Sequence, residues 1–154
     1  MRAFRYHLAV LLKRAEHRER ALQLDLARLQ ERLAAADERL AALRAAQERL
    51  RARWRELHAA ELDLRALEAL GAELGRTDAL LARAAQARRE LGAFAESVRA
   101  ELIEAARTCK VYENHRGRLG KEHYRAELAA ETKRLDELAN ARRRGPQAPE
   151  EGGG

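Results

Sequence analysis

An unbroken 3.5-residue repeat of apolar positions runs through the first half of the chain and limits its possible folds more than any other feature. The steps between positions alternate between 4 and 3 residues. A repeat sustained in this way is typical of a helix in a left-handed coiled coil. Eight of the eleven positions are Leu, and the others are Ala36, Gln47 and Trp54. The repeat occupies residues 22, 26, 29, 33, 36, 40, 43, 47, 50, 54 and 57.

The composition excludes a sheet. Of the 154 residues, 34 are Ala, 25 are Leu and 27 are Arg, whereas only seven are Val, Ile or Thr. Strands favour β-branched and aromatic side chains, so this chain has too few of them to build a sheet. Aromatic residues make up 4% and charged residues 36%, which is too polar for a thick core around a catalytic pocket. We therefore expect an all-α protein that is not an enzyme and has no cofactor.

Glycine and proline positions predict the helix boundaries. Neither residue occurs between Met1 and Leu70, which predicts one helix over about 3–70. Gly71 and Gly75 predict a turn over 71–78, and Thr77-Asp78 offers an N-cap for a second helix over about 78–142. A short connection between two long helices favours an antiparallel two-helix coiled-coil hairpin over 1–144. The Gly- and Pro-rich residues 145–154 are expected to form a disordered tail.

The second helix has an apolar row of its own. A step of 4 followed by another step of 4, at 94–98–102, predicts a local stutter of the supercoil. After Gly117 and Gly120 the row resumes. Its predicted positions are 80, 84, 87, 91, 94, 98, 102, 105, 109, 112, 116 and 119, then Tyr124, Leu128, Leu135 and Leu138.

Positive charge is concentrated near the two termini. Residues 1–20 carry a net charge of +4 and residues 107–144 carry +5, whereas residues 21–106 carry −1. In a hairpin these terminal regions form one basic end, which favours an anionic partner. Its Arg and Lys are interspersed with Glu and lack aromatic residues for base stacking, so we expect no nucleic-acid partner. A solvated helical surface is the commonest interpretation, and an acidic protein is at least as plausible a partner as phosphate.

Cysteine and hydropathy indicate the compartment. The single cysteine, Cys109, excludes an internal disulfide and lies on the second apolar row, where we expect it to be buried. The apolar run from Leu8 to Leu12 is too short for a signal peptide, and no segment is long enough for a transmembrane helix. These features predict a cytosolic protein.

Two possible ligand motifs fail on spacing. Gly117 to Glu122 resembles a phosphate-binding loop, but a Walker A motif requires Gly at 115 and Ser or Thr at 122, and the chain has His115 and Glu122 there. The closest pair of histidines, His115 and His123, lies eight residues apart, which does not match a helical metal site. We therefore expect no metal.

Two apolar features leave alternatives open. Trp54 lies on the first apolar row, which favours a core position over an exposed anchor. Leucines crowd the predicted turn more densely than one helix interface requires. They form either a local cap, in which a short third segment folds over the tip, or an exposed docking patch. These tip leucines are Leu62, Leu64, Leu67, Leu70 and Leu74.

Two stretches of the chain carry a recognisable pattern. The first opens the long helix with Phe4-Arg-Tyr6, Leu8, Leu11-Leu12-Lys13-Arg14 and Glu16. The second comprises Lys110-Val-Tyr-Glu113-Asn-His-Arg116, Glu122-His-Tyr-Arg-Ala-Glu127, Glu131-Thr-Lys133 and Leu135-Asp136-Glu137-Leu-Ala139. Together they resemble the flagellar export protein FliJ family, which includes the similar stalk proteins of virulence type III secretion. The resemblance spans nearly the whole chain.

The resemblance implies a role in the flagellar type III export apparatus. Members form a two-helix coiled coil that sits in the pore of the hexameric export ATPase and promotes its assembly and activity. They also contact the membrane export gate and escort export chaperones, which places them in the cytoplasm at the inner membrane. The alternatives are a generic dimerising coiled-coil scaffold and the equivalent stalk of a virulence secretion system.

Two surface hypotheses follow for a monomeric hairpin. The tip leucines are predicted to contact the export gate. A set of basic residues at the terminal end is predicted to bind acidic groups of the ATPase, with charge mainly steering and orienting the rod. This predicted ATPase-binding set comprises Arg2, Arg5, Lys13, Arg14, Arg18, Arg134, Arg142 and Arg143.

Overall fold

The computed structural model describes residues 2–60 and 63–146. Two long helices account for most of this part of the chain, α1 over Ala9–Ala59 and α2 over Leu64–Arg143, and the described residues include no strand. The all-α helical hairpin expected from the sequence is therefore confirmed. The chain divides into two units: unit 1 contains residues 1–15 and 107–154, and unit 2 contains residues 16–106.

The heptad row of α1 forms the helix interface of unit 2. Every position of the row from 22 to 57 is buried or half-buried except Trp54. At its centre Leu29 packs with Ala95 and Val98 of α2, and partly buried leucines surround these three residues. The 3.5-residue repeat thus identifies the face that α1 buries, as expected for coiled-coil packing.

The matching row of α2 agrees with the prediction at positions 84, 91, 98, 102 and 105 and differs at 80, 87 and 94, in place of which 81, 88 and 95 are half-buried or buried. Buried and half-buried side chains follow steps of 3 and 4 without a stutter, so the predicted stutter at 94–98–102 is wrong. Leu81 lies on the interface whereas Leu80 is exposed, and Ala95 is buried whereas Phe94 is exposed. A small side chain at 95 lets α2 pack closely against Leu29, which a phenyl ring would prevent. The observed row is 67, 70, 74, 77, 81, 84, 88, 91, 95, 98, 102 and 105.

The connection between the helices also differs from the prediction. It lies between Ala59 and Leu64, and the predicted turn at 71–78 is helical in the structure. Asp63 is the N-cap of α2, because its Oδ1 accepts hydrogen bonds from the backbone N–H of Arg65 (3.1 Å) and of Ala66 (3.4 Å). An Asp followed by a regular apolar row is the sequence signal that predicts this start.

Glycine does not interrupt α2 at residues 71 and 75. A glycine inside a helix costs about 1 kcal/mol relative to alanine. The burial of Leu67 and Leu70, in the turn of α2 just before Gly71, can offset this cost. Thr77 is not a cap either, because its Oγ1 donates to the carbonyl oxygen of Glu73 within the helix (3.0 Å). No glycine in the described residues has a positive φ.

Three polar contacts fix the antiparallel register of unit 2. Residue numbers rise along α1 as they fall along α2 from one contact to the next, so the two helices run in opposite directions. The contacts are Arg18 with Glu101 (3.7 Å), Asp37 with Arg88 (2.7 Å) and Gln47 with Asp78 (2.6 Å).

Unit 1 is built from the first turns of α1, the segment before it and the second half of α2. Its buried side chains are Tyr6, Leu12 and Cys109, so the expected burial of the cysteine is confirmed. Gly117 and Gly120 both lie inside α2. Of the predicted tail, residues 147–154 lie outside the described part of the chain.

Candidate protein-binding surfaces

Unit 1 leaves an apolar row uncovered at the carboxyl-terminal end of α2. Tyr124 is 57% exposed, Leu135 66% and Leu138 60%, and Leu128 is also exposed. These residues share one face of the helix, since they follow the same alternating steps of 4 and 3. Such a row is the surface with which a coiled-coil helix binds another helix. We call this surface the terminal row: Tyr124, Leu128, Glu131, Leu135, Leu138 and Arg142.

The unit that contains the terminal row carries an excess of basic residues. Residues 1–15 and 107–146 hold fifteen Lys and Arg against six Asp and Glu, a net charge of +9, whereas residues 16–106 hold sixteen against seventeen, a net charge of −1. The excess of positive charge expected near the two termini therefore lies in unit 1. A surface that combines exposed leucines with excess positive charge suits an apolar partner with acidic flanks.

The predicted ATPase-binding residues are all exposed, and one of them belongs to unit 2. Arg18 belongs to unit 2 and pairs with Glu101, at 3.7 Å between Nη2 and Oε2. Arg142 lies on the terminal row itself. Arg134 directly precedes Leu135 of the row, and Arg143 directly follows Arg142. The residues of the set in unit 1 are Arg2, Arg5, Lys13, Arg14, Arg134, Arg142 and Arg143.

Aromatic contacts hold the segment before α1 against α2. The hydroxyl of Tyr6 lies 2.7 Å from Nδ1 of His115, and the two rings meet edge to face. The ring of Phe4 lies over Gly120, where an added Cβ would be 3.6 Å from the phenyl carbon, and it also meets the ring of His123. These contacts hold Phe4 and Tyr6 against α2.

The tip leucines do not form one exposed patch. Leu67 and Leu70 are 8% and 5% exposed and belong to the helix interface of unit 2, and Leu74 is half-buried. Leu64 is 71% exposed, and Leu62 lies outside the described residues. The predicted gate contact therefore rests on fewer side chains than the sequence indicates, because Leu67, Leu70 and Leu74 lie on the interface row of α2.

Trp54 lies at the edge of the interface of unit 2. Its side chain is 38% exposed and contacts the place that a Cβ of Gly71 would occupy, at 3.5 Å. The prediction of a core position is therefore met only in part. The sequence analysis did not pair Trp54 with Gly71, and this glycine leaves part of the indole uncovered.

The described residues were also searched for metal-ligand clusters and for membrane-spanning helices. In this part of the chain no three His, Cys, Asp or Glu side chains come together as metal ligands would. Within residues 2–60 and 63–146, no helix combines the length and the apolar character needed to cross a membrane.

These observations define the class of the protein: a helical hairpin of coiled-coil type whose exposed surfaces suit the binding of other proteins. A family model described as Flagellar FliJ protein matches residues 4–147. The chain therefore belongs to the FliJ family and is a component of the flagellar protein export apparatus. No curated protein and no solved structure matches the chain.

Proposed function

We propose that the chain is the non-enzymatic stalk of the flagellar type III export apparatus and that unit 1 binds the hexameric export ATPase. The observation that carries this proposal is the terminal row, whose four apolar residues are exposed and which lies in the unit with the larger net positive charge. Leucines of the row would supply affinity by burial against apolar helices of the ATPase pore. The surrounding arginines would orient the rod and accelerate the encounter.

This binding provides a route to ATPase assembly and activity. A single rod that contacts several subunits of a ring at once favours the assembled ring over separated subunits by mass action. Hydrolysis rises as a consequence where the active site requires neighbouring subunits. The role is mechanical and uses no catalytic side chain of this chain.

Contacts with the membrane export gate and with export chaperones belong to the same proposal. Family membership supports them, and the exposed Leu64 and half-buried Leu74 are the tip leucines accessible to a gate protein. In this role the chain acts in the cytoplasm, associated peripherally with the inner membrane at the export apparatus. A stalk of a virulence secretion system has the weaker support, since the matched family model is the flagellar one.

The experiment measures ATP hydrolysis by the purified export ATPase as the chain is added. The wild type is expected to raise the rate, and the triple variant Leu128→Ser, Leu135→Ser and Leu138→Ser is expected to lose most of this effect. The matched control replaces three exposed apolar residues of unit 2, Leu24→Ser, Leu80→Ser and Ile103→Ser, which should stimulate like the wild type. Equal stimulation by all three proteins, or none by the wild type, overturns the proposal.

A further inference from the structure

Trp54 borders an open notch on unit 2 that the proposed ATPase contact does not use. On one side the indole meets α2 at Gly71, where an added Cβ would lie 3.5 Å from Cζ3 and 4.0 Å from Cη2. On another side it meets the ring of His58, nearly parallel at 11° between planes. The notch has a volume of about 310 Å³ and is lined by Arg51, Trp54, Arg55, Gly71 and Leu74.

Gly71 is the reason that the notch exists. The neighbouring positions of the α1 row, Leu50 and Leu57, are half-buried by side chains of α2, but opposite Trp54 the interface offers a glycine. The missing side chain leaves the indole 38% exposed beside Leu74. Covering this apolar surface is favourable, because it removes apolar area from water. A partly exposed tryptophan in a concave surface is a frequent anchor point in protein interfaces.

The charges at the notch select the kind of partner. Among the described residues, the charged side chains that line it are Arg51 and Arg55, which lie one turn apart on α1. Arg51 also donates to Glu48 at 3.2 Å, an exposed pair that a stronger acidic partner can replace.

We propose that the notch binds an acidic segment of a partner protein, one apolar side chain of which packs against Trp54 and Gly71. The carboxylates on either side of this anchor residue bind Arg51 and Arg55. The partner needs an aliphatic anchor and acidic neighbours, which distinguishes it from nucleic acid. The site goes beyond the ATPase contact and does not depend on it.

The sole tryptophan of the chain makes the site directly measurable, since all indole fluorescence comes from Trp54. The probe is a capped heptapeptide with a central leucine and three aspartates on each side. Titration into the full chain is expected to give a saturable change in fluorescence. A peptide with central alanine is expected to bind about tenfold more weakly, since it loses most of the buried apolar area.

Two glycine variants on the same helix provide the matched control. Gly71→Leu fills the notch and is expected to weaken binding at least about tenfold, a free-energy change of about 1.4 kcal/mol. Gly75→Leu adds the same side chain four residues away, where nothing lies within 4 Å of the added Cβ, and should bind like the wild type. Arg51→Ala with Arg55→Ala should weaken binding and reduce its dependence on salt. Circular dichroism verifies that each variant remains helical.

Several outcomes overturn the proposal. These are a titration without a saturable change, equal binding of the leucine and alanine peptides, and full binding by Gly71→Leu. Equal binding of a peptide with lysines in place of aspartates also overturns it. A fluorescence change that depends on chain concentration without peptide identifies a second copy as the occupant, and a change with duplex DNA identifies nucleic acid. Stimulation of the export ATPase by Gly71→Leu should equal that of the wild type, so failure of this inference and failure of the stalk proposal are distinguishable.

Discussion

Nε of Arg88 on α2 donates a 2.7 Å hydrogen bond to Oδ1 of Asp37 on α1, which joins positions 51 residues apart in sequence. The contact lies beside the heptad interface of unit 2, between the contact of Arg18 with Glu101 and that of Gln47 with Asp78. A shift of one helix along the other by one turn would break all three. These polar contacts therefore select one register among several that leucine and alanine packing alone would allow.

The pair of Asp37 and Arg88 should show measurable coupling. A double-mutant cycle with Asp37→Ala and Arg88→Ala is expected to give about 0.5–1 kcal/mol in the free energy of unfolding, and less in high salt. Urea denaturation followed by circular dichroism measures it. The control cycle is Lys133 with Glu137, which lie 4.0 Å apart within one exposed turn and should couple more weakly. Equal coupling in the two cycles would mean that Arg88 does not fix the register.

Alanine at Gly71 and at Gly75 should stabilise the protein. Both residues are helical without positive φ, so each replacement is expected to raise the free energy of unfolding by about 0.5–1 kcal/mol. The added Cβ at 71 makes ordinary van der Waals contact with Trp54, and the one at 75 meets nothing within 4 Å. Gly92→Ala is the control, because its Cβ would lie 2.7 Å from Nη1 of Arg88 and disturb the Asp37 pair. Thermal denaturation distinguishes the cases, and a loss of stability at 71 and 75 would indicate a turn there.

Removal of the N-cap of α2 should destabilise the protein. Asp63→Ala leaves two backbone N–H groups without their acceptor and is expected to cost about 1 kcal/mol. The measurement is chemical denaturation, with Asp136→Ala as an exposed control inside the helix. If Asp63→Ala and Asp136→Ala have the same stability, the helix does not begin where the structure places it.

The segment before α1 should depend on Tyr6. Tyr6→Phe removes the hydroxyl that lies 2.7 Å from Nδ1 of His115, in a side chain that is 9% exposed. We expect a loss of about 0.5–1.5 kcal/mol, together with faster proteolysis of residues 2–8. Tyr124→Phe is the control, since that ring is exposed. Unchanged proteolysis in Tyr6→Phe would contradict the role of this contact.

The sequence predicts the buried face of α1 because its repeat is long and unambiguous. It predicts the register of α2 less well, since Leu80 and Leu81 are equally apolar and only packing against α1 distinguishes them. Ala95 is buried in preference to Phe94 for the same reason. The predicted turn gave local glycine propensity too much weight, because a cost of about 1 kcal/mol per glycine is small beside the burial of two leucines.

The binding surfaces likewise include some features that the sequence predicts and others that depend on how α1 and α2 pack. Basic charge and the apolar residues of the terminal row can be read from spacing and composition. The notch at Trp54 cannot, because it depends on which residue of α2 lies opposite the indole. Likewise, the tip leucines separate into buried Leu67 and Leu70 and exposed Leu64 only when the partner helix is in place.

The most direct test of the stalk role is the stoichiometry of the complex with the export ATPase. Native mass spectrometry of the ATPase mixed with the full chain is expected to detect one chain per six ATPase subunits. The triple variant Leu128→Ser, Leu135→Ser and Leu138→Ser should yield mostly unbound chain under the same conditions. One chain bound to every ATPase subunit, or no complex with the wild type, would contradict the account.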